Sequence, residues 1–531
     1  MKPAYFFLSL GLLASVACSD GGDDIPAPEP ADMTKQITID GSIRYQTIDG
    51  FGASDCWVPN YIGKYWPEES KEGIARLLFS PDITSGQPQG IGLSMWRFNL
   101  GGGTAEQGEE SNIEDKSRRT ECFLQADGNL NWTRQQGQQY FLDKAKAYGC
   151  REFVMFSNTP PVYYTRNGKG YSGMGSRSNL KEDCYTPFAN YMAEVAQYFK
   201  QQKGIEFTLI SPVNEPQYNW NEPSQEGTAW QNSEIRDLTV ELDKALEAKG
   251  LTNTRILLAE AGDWEYTYKE KSDANRSNVI YNLFDPASRN YVGNLPHVFP
   301  AIAGHSYWTD GSWSTLYSVR QQVASAAAAY NLKVYQTEWS MLGDGYNSDG
   351  YPGHEKASYL DMALYMSKVI YQDFTTANAS SWSYWTSMDT ERWSQKCRFH
   401  LVKVTPAGGD YGDIAESGTY EATKNLWVLG NYSLFIRPGY QRVSLNIANA
   451  SNSFFGSAYI SPEGDKLVTV YTNLSAKSIG LDTAIEGIGK SIASIKQYTT
   501  SQNEDLSEKT LDNDQCSIQP NSVVTIVYQF K

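Results

Sequence analysis

The chain has 531 residues and a formal net charge of −16 at pH 7, from 45 Lys and Arg against 61 Asp and Glu. That balance excludes nucleic acid and an anionic membrane surface as partners, because both demand a basic face. The 4 His lie at 297, 305, 354 and 400 with no ligand-spaced pair, and Cys-x-x-Cys is absent, so a transition-metal site is not expected.

Lys2 precedes an apolar run from Tyr5 to Ala17, too short to span a bilayer but fitting a signal peptide over 1–17. The run ends Ala14-Ser15-Val16-Ala17-Cys18, similar to a lipoprotein cleavage site at which Cys18 would be lipidated. Ser15 stands where an aliphatic residue is usual, so ordinary signal cleavage before an incidental Cys is the alternative. The expected location is the outer membrane or cell surface of a Gram-negative bacterium, otherwise the periplasm, with membrane contact only through a lipid anchor. Residues 18–33, rich in Asp, Pro, Ala and Gly, read as a flexible tether. Six further Cys (56, 122, 150, 184, 397 and 516) either pair, in 15 possible connectivities, or stay as free buried thiols.

From 34 to 47, Ile37, Ile39 and Ile43 around an Asp-Gly turn suggest a hairpin or strand pair. Eight short apolar runs follow, alternating with helix-period segments over 48–427. They are Ile48–Ser54, Gly92–Asn99, Glu152–Asn158, Glu206–Asn214, Arg255–Ala261, Ala301–Tyr307, Lys333–Glu338 and Ser380–Trp385. Between them Phe188, Met192, Val195 and Phe199 share one helical face, and Leu238, Leu242 and Leu246 another, stopped by Gly250. Eight such units predict an α/β fold, a (β/α)8 barrel. After Trp427 the runs Arg442–Ile447, Ser457–Ile460, Lys466–Asn473, Ser478–Asp482, Ser491–Thr499 and Ser522–Tyr528 alternate without a helix, predicting a C-terminal β-sandwich over 428–531.

Barrel enzymes carry their chemistry at the C-terminal ends of the strands. The fourth run ends in Asn214-Glu215-Pro216 and the seventh in Glu338-Trp339. One protonated and one ionised carboxyl group is what glycosidic cleavage requires, the first to protonate the leaving oxygen and the second to attack the anomeric carbon. Any of 61 acids can end one strand by chance. Acids ending both the fourth and the seventh are much harder to explain so. The 14 Trp and 35 Tyr lean the same way, since sugar C–H faces stack on flat rings, although aromatics also fill barrel cores.

Carboxylates on strands four and seven resemble the clan A glycoside hydrolases, and three stretches resemble family 30 within it: Tyr45 to Ser54, Asn214-Glu215-Pro216, and Asn431 to Tyr440. The resemblance covers the mature chain and implies a retaining mechanism, no cofactor, and N-terminal strands that complete the sandwich. It implies Glu215 as acid/base, Glu338 as nucleophile, Asn214 as a contact to the sugar 2-hydroxyl, and Arg97 beside Glu338 holding it ionised. His305 and Tyr307 end the sixth run, where the clan places groups that touch nucleophile or sugar; a satisfied core His is the alternative. Trp339 and Trp385 are candidate sugar platforms, with Trp57, Trp220 and Trp264 as further candidates for the groove or for the core. Asn99, Asn158 and Asp55 are candidate hydroxyl contacts, Asp55 alternatively a helix cap. Asp263 follows strand five, and Glu260 within it is a rival carboxylate to which the clan assigns no role.

The segment Phe156-Ser157-Asn158-Thr159-Pro160-Pro161, followed by Gly168-Lys169-Gly170-Tyr171-Ser172-Gly173, resembles the endo-β-1,6-galactanase branch. The resemblance thus implies action on β-1,6-galactan side chains, and a monomer is expected. The family's other activities (β-1,6-glucanase, xylanase or β-xylosidase, β-fucosidase, glucosylceramidase) stay open, as do a catalytically silent glycan-binding lipoprotein and a transglycosylase.

Overall fold

The computed structural model describes residues 32–173, 175–343, 349–511 and 516–531. The expected signal peptide, Cys18 and most of the tether lie outside these residues.

Eight parallel strands close a barrel: β2 (Gly50–Ser54), β3 (Met95–Asn99), β4 (Glu152–Phe156), β5 (Leu209–Ser211), β6 (Arg255–Ala261), β7 (Val298–His305), β8 (Lys333–Glu338) and β9 (Ala379–Tyr384). They are buried on both faces, which is why each reads as a continuous apolar run rather than an alternation. The fourth is the shortest because Pro212 has no N–H to continue the ladder, so the predicted run to Asn214 finishes as ordered coil. Helices cover the outside. Phe188, Met192 and Val195 are fully buried on α1 (Tyr185–Tyr198), and Leu238, Leu242 and Leu246 on α2 (Asn232–Ala248). The amide of Gln231 donates to Glu234 Oε2 (2.8 Å) at the start of α2, and Gly250, at φ +65°, turns the chain just beyond its end.

Inside the barrel, Met95, Val154, Leu209, Leu257, Ala301, Ala303 and Tyr335 form a dry apolar plug. Side chains alternate along a strand, so the next inward residue on β3 after Met95 is Arg97, one layer closer to the mouth. A polar mouth thus stands on an apolar floor.

A second, mostly antiparallel sheet runs β1 (Met33–Thr47), β10 (Gln441–Ile447), β11 (Phe454–Ile460), β12 (Lys466–Asn473), β13 (Ile479–Glu486), β14 (Ile492–Thr500), β15 (Ser507–Leu511), β16 (Cys516–Ile518) and β17 (Ser522–Phe530) along the chain, in the spatial order β15-β14-β17-β12-β11-β10-β1-β13-β16. Residues from distant strands, among them Ile39, Leu481, Ile495 and Tyr528, share one core, so the sheet folds over itself. The expected N-terminal hairpin is a single long strand: β1 runs antiparallel to β10 and parallel to β13, with its irregularity between Asp40 and Arg44. The Asp-Gly pair marks a bulge there, not a reversal. Two strands are absent from the predicted runs: β15, whose Ser-Glu-Lys-Thr-Leu suits an edge strand paired on one side only, and the three-residue β16.

The Asn431–Tyr440 stretch binds the two units. It begins in α3 (Lys424–Ser433), where Asn431 Nδ2 donates to Tyr498 O (3.2 Å) and Thr525 Oγ1 (3.0 Å) of the sandwich. Ser433 Oγ donates to Ile91 O (2.6 Å) of the barrel, and Arg437 donates to Gly92 O and Ser433 O. All six Cys among the described residues are buried, and Cys56, Cys122, Cys150, Cys184 and Cys397 are free thiols.

Ile39 is fully buried, opposite Leu445 of β10 and Ile485 of β13. Ile39→Ala is therefore expected to cost about 2–5 kcal/mol, read as a lower denaturant midpoint for the sandwich; an unchanged midpoint would show that β1 adds no stability.

Candidate active site

Glu215 and Glu338 stand at the C-terminal mouth of the barrel, and their environments differ. Glu338 ends β8 with a side chain 4% exposed; Glu215, four residues beyond β5, is 17% exposed. Glu215 sits at φ +41°, a left-handed conformation unfavourable to a side chain, stabilised by its amide donating to Glu260 O (2.9 Å) and its carbonyl accepting from Trp220 Nε1 (3.2 Å).

Arg97 is the hub. Its Nη1 donates to Glu338 Oε1 and to Ser54 Oγ (3.0 Å), and its Nη2 donates to Asn214 Oδ1 (2.9 Å) and lies 3.5 Å from Glu260 Oε1. The guanidinium also covers the Phe156 ring at 3.5 Å from its centroid. Tyr307 OH donates to the other oxygen of Glu338 (3.2 Å). Burial drives the Glu338 carboxyl above its ordinary value, and the neighbouring Glu215 and Glu260 push the same way against His305 and Arg97.

His305 lies between three carboxylates. Its Nδ1 is 2.9 Å from Glu215 Oε1 and 3.4 Å from Glu338 Oε2, and its Nε2 is 3.2 Å from Glu260 Oε2. Burial opposes its charge, but Glu338, Glu215 and Glu260 outweigh it and carry the imidazole to about 9. Glu260 goes the other way. It is fully buried, yet Arg97, His305 and the Thr337 hydroxyl, with Ser211 Oγ at 2.7 Å, hold it down at about 2. Atoms of Glu215, His305 and Glu338 lie within 4.8 Å of one another, a spacing that would also suit a metal ion. With its pKa raised to about 9 by the three carboxylates, the imidazole stands between them as a hydrogen-bond donor at neutral pH.

The pocket over the pair, about 130 Å³, is lined by Asn214, Tyr307, Trp57, Trp220 and Trp385 and also by Arg118, Gln225, Leu342, Asp389 and Phe399, which the sequence did not single out. Trp57 and Trp385 meet edge to face at 5.2 Å. Other expected contacts lie elsewhere. Trp339 is 1% exposed, with Nε1 on Asp310 Oδ2 (2.8 Å), in the core behind Glu338. Trp264 is fully buried, donates to Ser306 Oγ (2.8 Å), and covers Gly304 so closely that a Cβ there would come within 2.7 Å of its ring. Asp55 caps no helix and faces no pocket: its Oδ1 accepts from the Asn99 amide (2.7 Å) and Gln138 Nε2 (3.1 Å), and burial raises it to about 8. Asn99 and Asn158 are buried outside the pocket lining, Asn158 beside Cys56 Sγ at 3.8 Å. Asp263 turns to the amide of Glu265 (2.8 Å).

The model of O-glycosyl hydrolase family 30 matches residues 34–398. The chain belongs to that family. It is an O-glycosyl hydrolase built as a TIM barrel with an attached β-domain. It is 25% identical, over 88% of both chains, to an endo-β-1,6-galactanase of Hypocrea rufa. A conserved exported protein from Bacteroides fragilis superposes with a TM-score of 0.84 at 30% identity, covering 93% of this chain and 100% of that one. The catalytic domain of xylanase C from Talaromyces cellulolyticus shares the fold, with a TM-score of 0.65 at 18% identity over 93% of this chain and 100% of that one.

The charged form of His305 is favoured in the folded protein, so its contribution is complete below 6.5 and is lost as pH rises through about 9. Glu260→Gln removes the anion on Nε2 and should move the alkaline limb of kcat/KM to lower pH. A limb that stays in place in a variant with native melting behaviour would show that Glu260 does not hold His305.

Proposed function

We propose that this enzyme cleaves β-1,6-linked galactan side chains by double displacement, with retention at the anomeric carbon, Glu338 as nucleophile and Glu215 as acid/base. The observation that carries the reading is the spacing of the pair: a carboxylate oxygen of Glu215 lies within 4.8 Å of one of Glu338. Retaining enzymes keep their carboxyl groups about 5–5.5 Å apart, whereas inverting ones need about 6.5–9.5 Å to admit water. The surroundings support the division of labour. Arg97 and Tyr307 hold the two oxygens of Glu338 and aim it; Glu215 is the more exposed and free to meet a leaving oxygen and then a water.

In the first step Glu338 attacks the anomeric carbon while Glu215 gives its proton to the departing oxygen. Negative charge passes from Glu338, now an ester, to Glu215. His305 Nδ1, at 2.9 Å from one acid and 3.4 Å from the other, faces that charge at both ends of the transfer. In the second step Glu215 takes a proton from water, which releases the sugar with its configuration retained.

The choice of galactan rests on the Hypocrea rufa relative and on the Ser157–Pro161 segment. We also propose export with anchoring at Cys18, supported by the Tyr5–Ala17 run and the Ala17-Cys18 junction.

Glu338→Gln should abolish turnover of aryl β-glycosides, roughly 10³-fold or more, while Glu215→Gln should slow poor leaving groups far more than activated ones. Equal losses of the two variants on all substrates would sink the assignment. Among arabinogalactan, β-1,6-glucan, glucuronoxylan and aryl β-glycosides, the galactan side chains should be cut fastest; faster release from glucan or xylan would overturn the substrate.

A further inference from the structure

A second, larger cavity of about 790 Å³ opens beside the catalytic pocket, and Arg118 lines both. Its walls come from three loops at the barrel mouth: 112–118 after β3, 223–224 after β5, and 392–393 with 411–414 after β9. Two large aromatic side chains stand exposed in it, Trp393 at 57% and Tyr411 at 68%. Their rings meet edge to face with centroids 6.0 Å apart, and the Trp393 amide donates to Tyr411 OH (2.8 Å). Arg392 fixes this loop to its neighbours: Nη1 donates to Asp115 Oδ1 (3.2 Å) and Nε to Asp410 O (2.8 Å). Arg118 completes the link by lying over the Trp57 ring (4.8 Å) and donating to Gln225 Oε1 (3.4 Å) at the catalytic pocket.

Arg392 lies over the indole at 6.0 Å from its centroid, yet most of the indole and of the phenol remains open to solvent as apolar ring surface. Asp115 and Arg392 pair with each other, and Glu114, Lys116 and Asp413 add further polar groups to the lining, so the cavity offers a ligand aromatic rings set among hydrogen-bonding groups. Those features fit a pyranose, whose C–H face stacks and whose hydroxyls hydrogen-bond. The shared wall at Arg118 sets the cavity next to the catalytic pocket, so the fitting occupant is another part of the same chain.

We propose that Trp393 and Tyr411 form a distal saccharide subsite, at least one sugar removed from the cleaved bond, which holds the polysaccharide so that cleavage falls within the chain. This rests on the reading of the protein as a polysaccharide hydrolase and adds where the remote part of the substrate lies. Binding remote sugars orients the reacting one.

The test is a calorimetric titration of Glu338→Gln protein, with and without Trp393→Ala, using β-1,6-linked galactobiose and galactotetraose. The longer sugar should bind more tightly to the protein that keeps Trp393, and Trp393→Ala should weaken it roughly tenfold while moving the disaccharide much less. Trp393→Phe should restore most of the loss. Equal affinities of the tetrasaccharide with and without the indole, or equal losses for both sugars, would overturn the subsite. If the native enzyme cuts no galactan, the substrate reading alone fails, and the same titration is run with oligosaccharides of the polysaccharide that it does cut.

Discussion

The mouth of the barrel depends on one buried ion cluster centred on Arg97. A guanidinium taken out of water costs several kcal/mol unless its donors and charge are answered. Here Glu338, Asn214 and Ser54 accept its hydrogen bonds, Glu260 lies at 3.5 Å, and the Phe156 ring covers one face. The cluster joins β2, β3, β6 and β8 with the turn after β5, so the barrel's closure and the aim of Glu338 are one constraint. His305 adds a second cation between Glu260 and the two proposed catalytic acids. Arg97 thus faces Glu260 and Glu338, while His305 faces all three carboxylates and lies nearest to Glu215.

The rest of the fold supports that cluster. The apolar plug fills the barrel beneath it, and α3 with Arg437 ties the β2–β3 side of the barrel to the folded sheet. Above the cluster, loops decide what reaches it. The lining of the pocket comes largely from those loops, which vary independently of a rigid frame.

Much of the frame was legible in the sequence because strands buried on both faces read as apolar runs, and the two acids could be placed by counting those runs. Glu260 carried a signal that its position alone understated: a carboxylate within a run of buried residues must be paired with cations and donors. Its role as the holder of His305 follows from that necessity and needed only geometry to name the partner. The tryptophans were less legible. Trp339 follows Glu338 by one residue, and alternation along a strand turns it to the opposite side, toward the helices. Trp264 stands at a strand end too, but its close contact with Gly304 could not be inferred from spacing. Asp55 and Asn99 bind each other across the first two barrel strands, a pairing of distant residues with no local signature. Arg118 ends a three-residue 3-10 turn, Asp389 ends a two-residue strand and Phe399 lies in a turn, elements too short for a period to fix the direction of a side chain.

The central claim is that a buried, Arg97-bound carboxylate forms a covalent bond to the sugar while its partner handles the proton. The most direct measurement is to trap the glycosyl-enzyme with a 2-deoxy-2-fluoro β-glycoside of the sugar the enzyme turns over, bearing an activated leaving group, and to sequence the labelled peptide by mass spectrometry. A single added glycosyl group on Glu338 is the predicted result. A label on Glu215 or Glu260, or full inactivation with no covalent label, would contradict it.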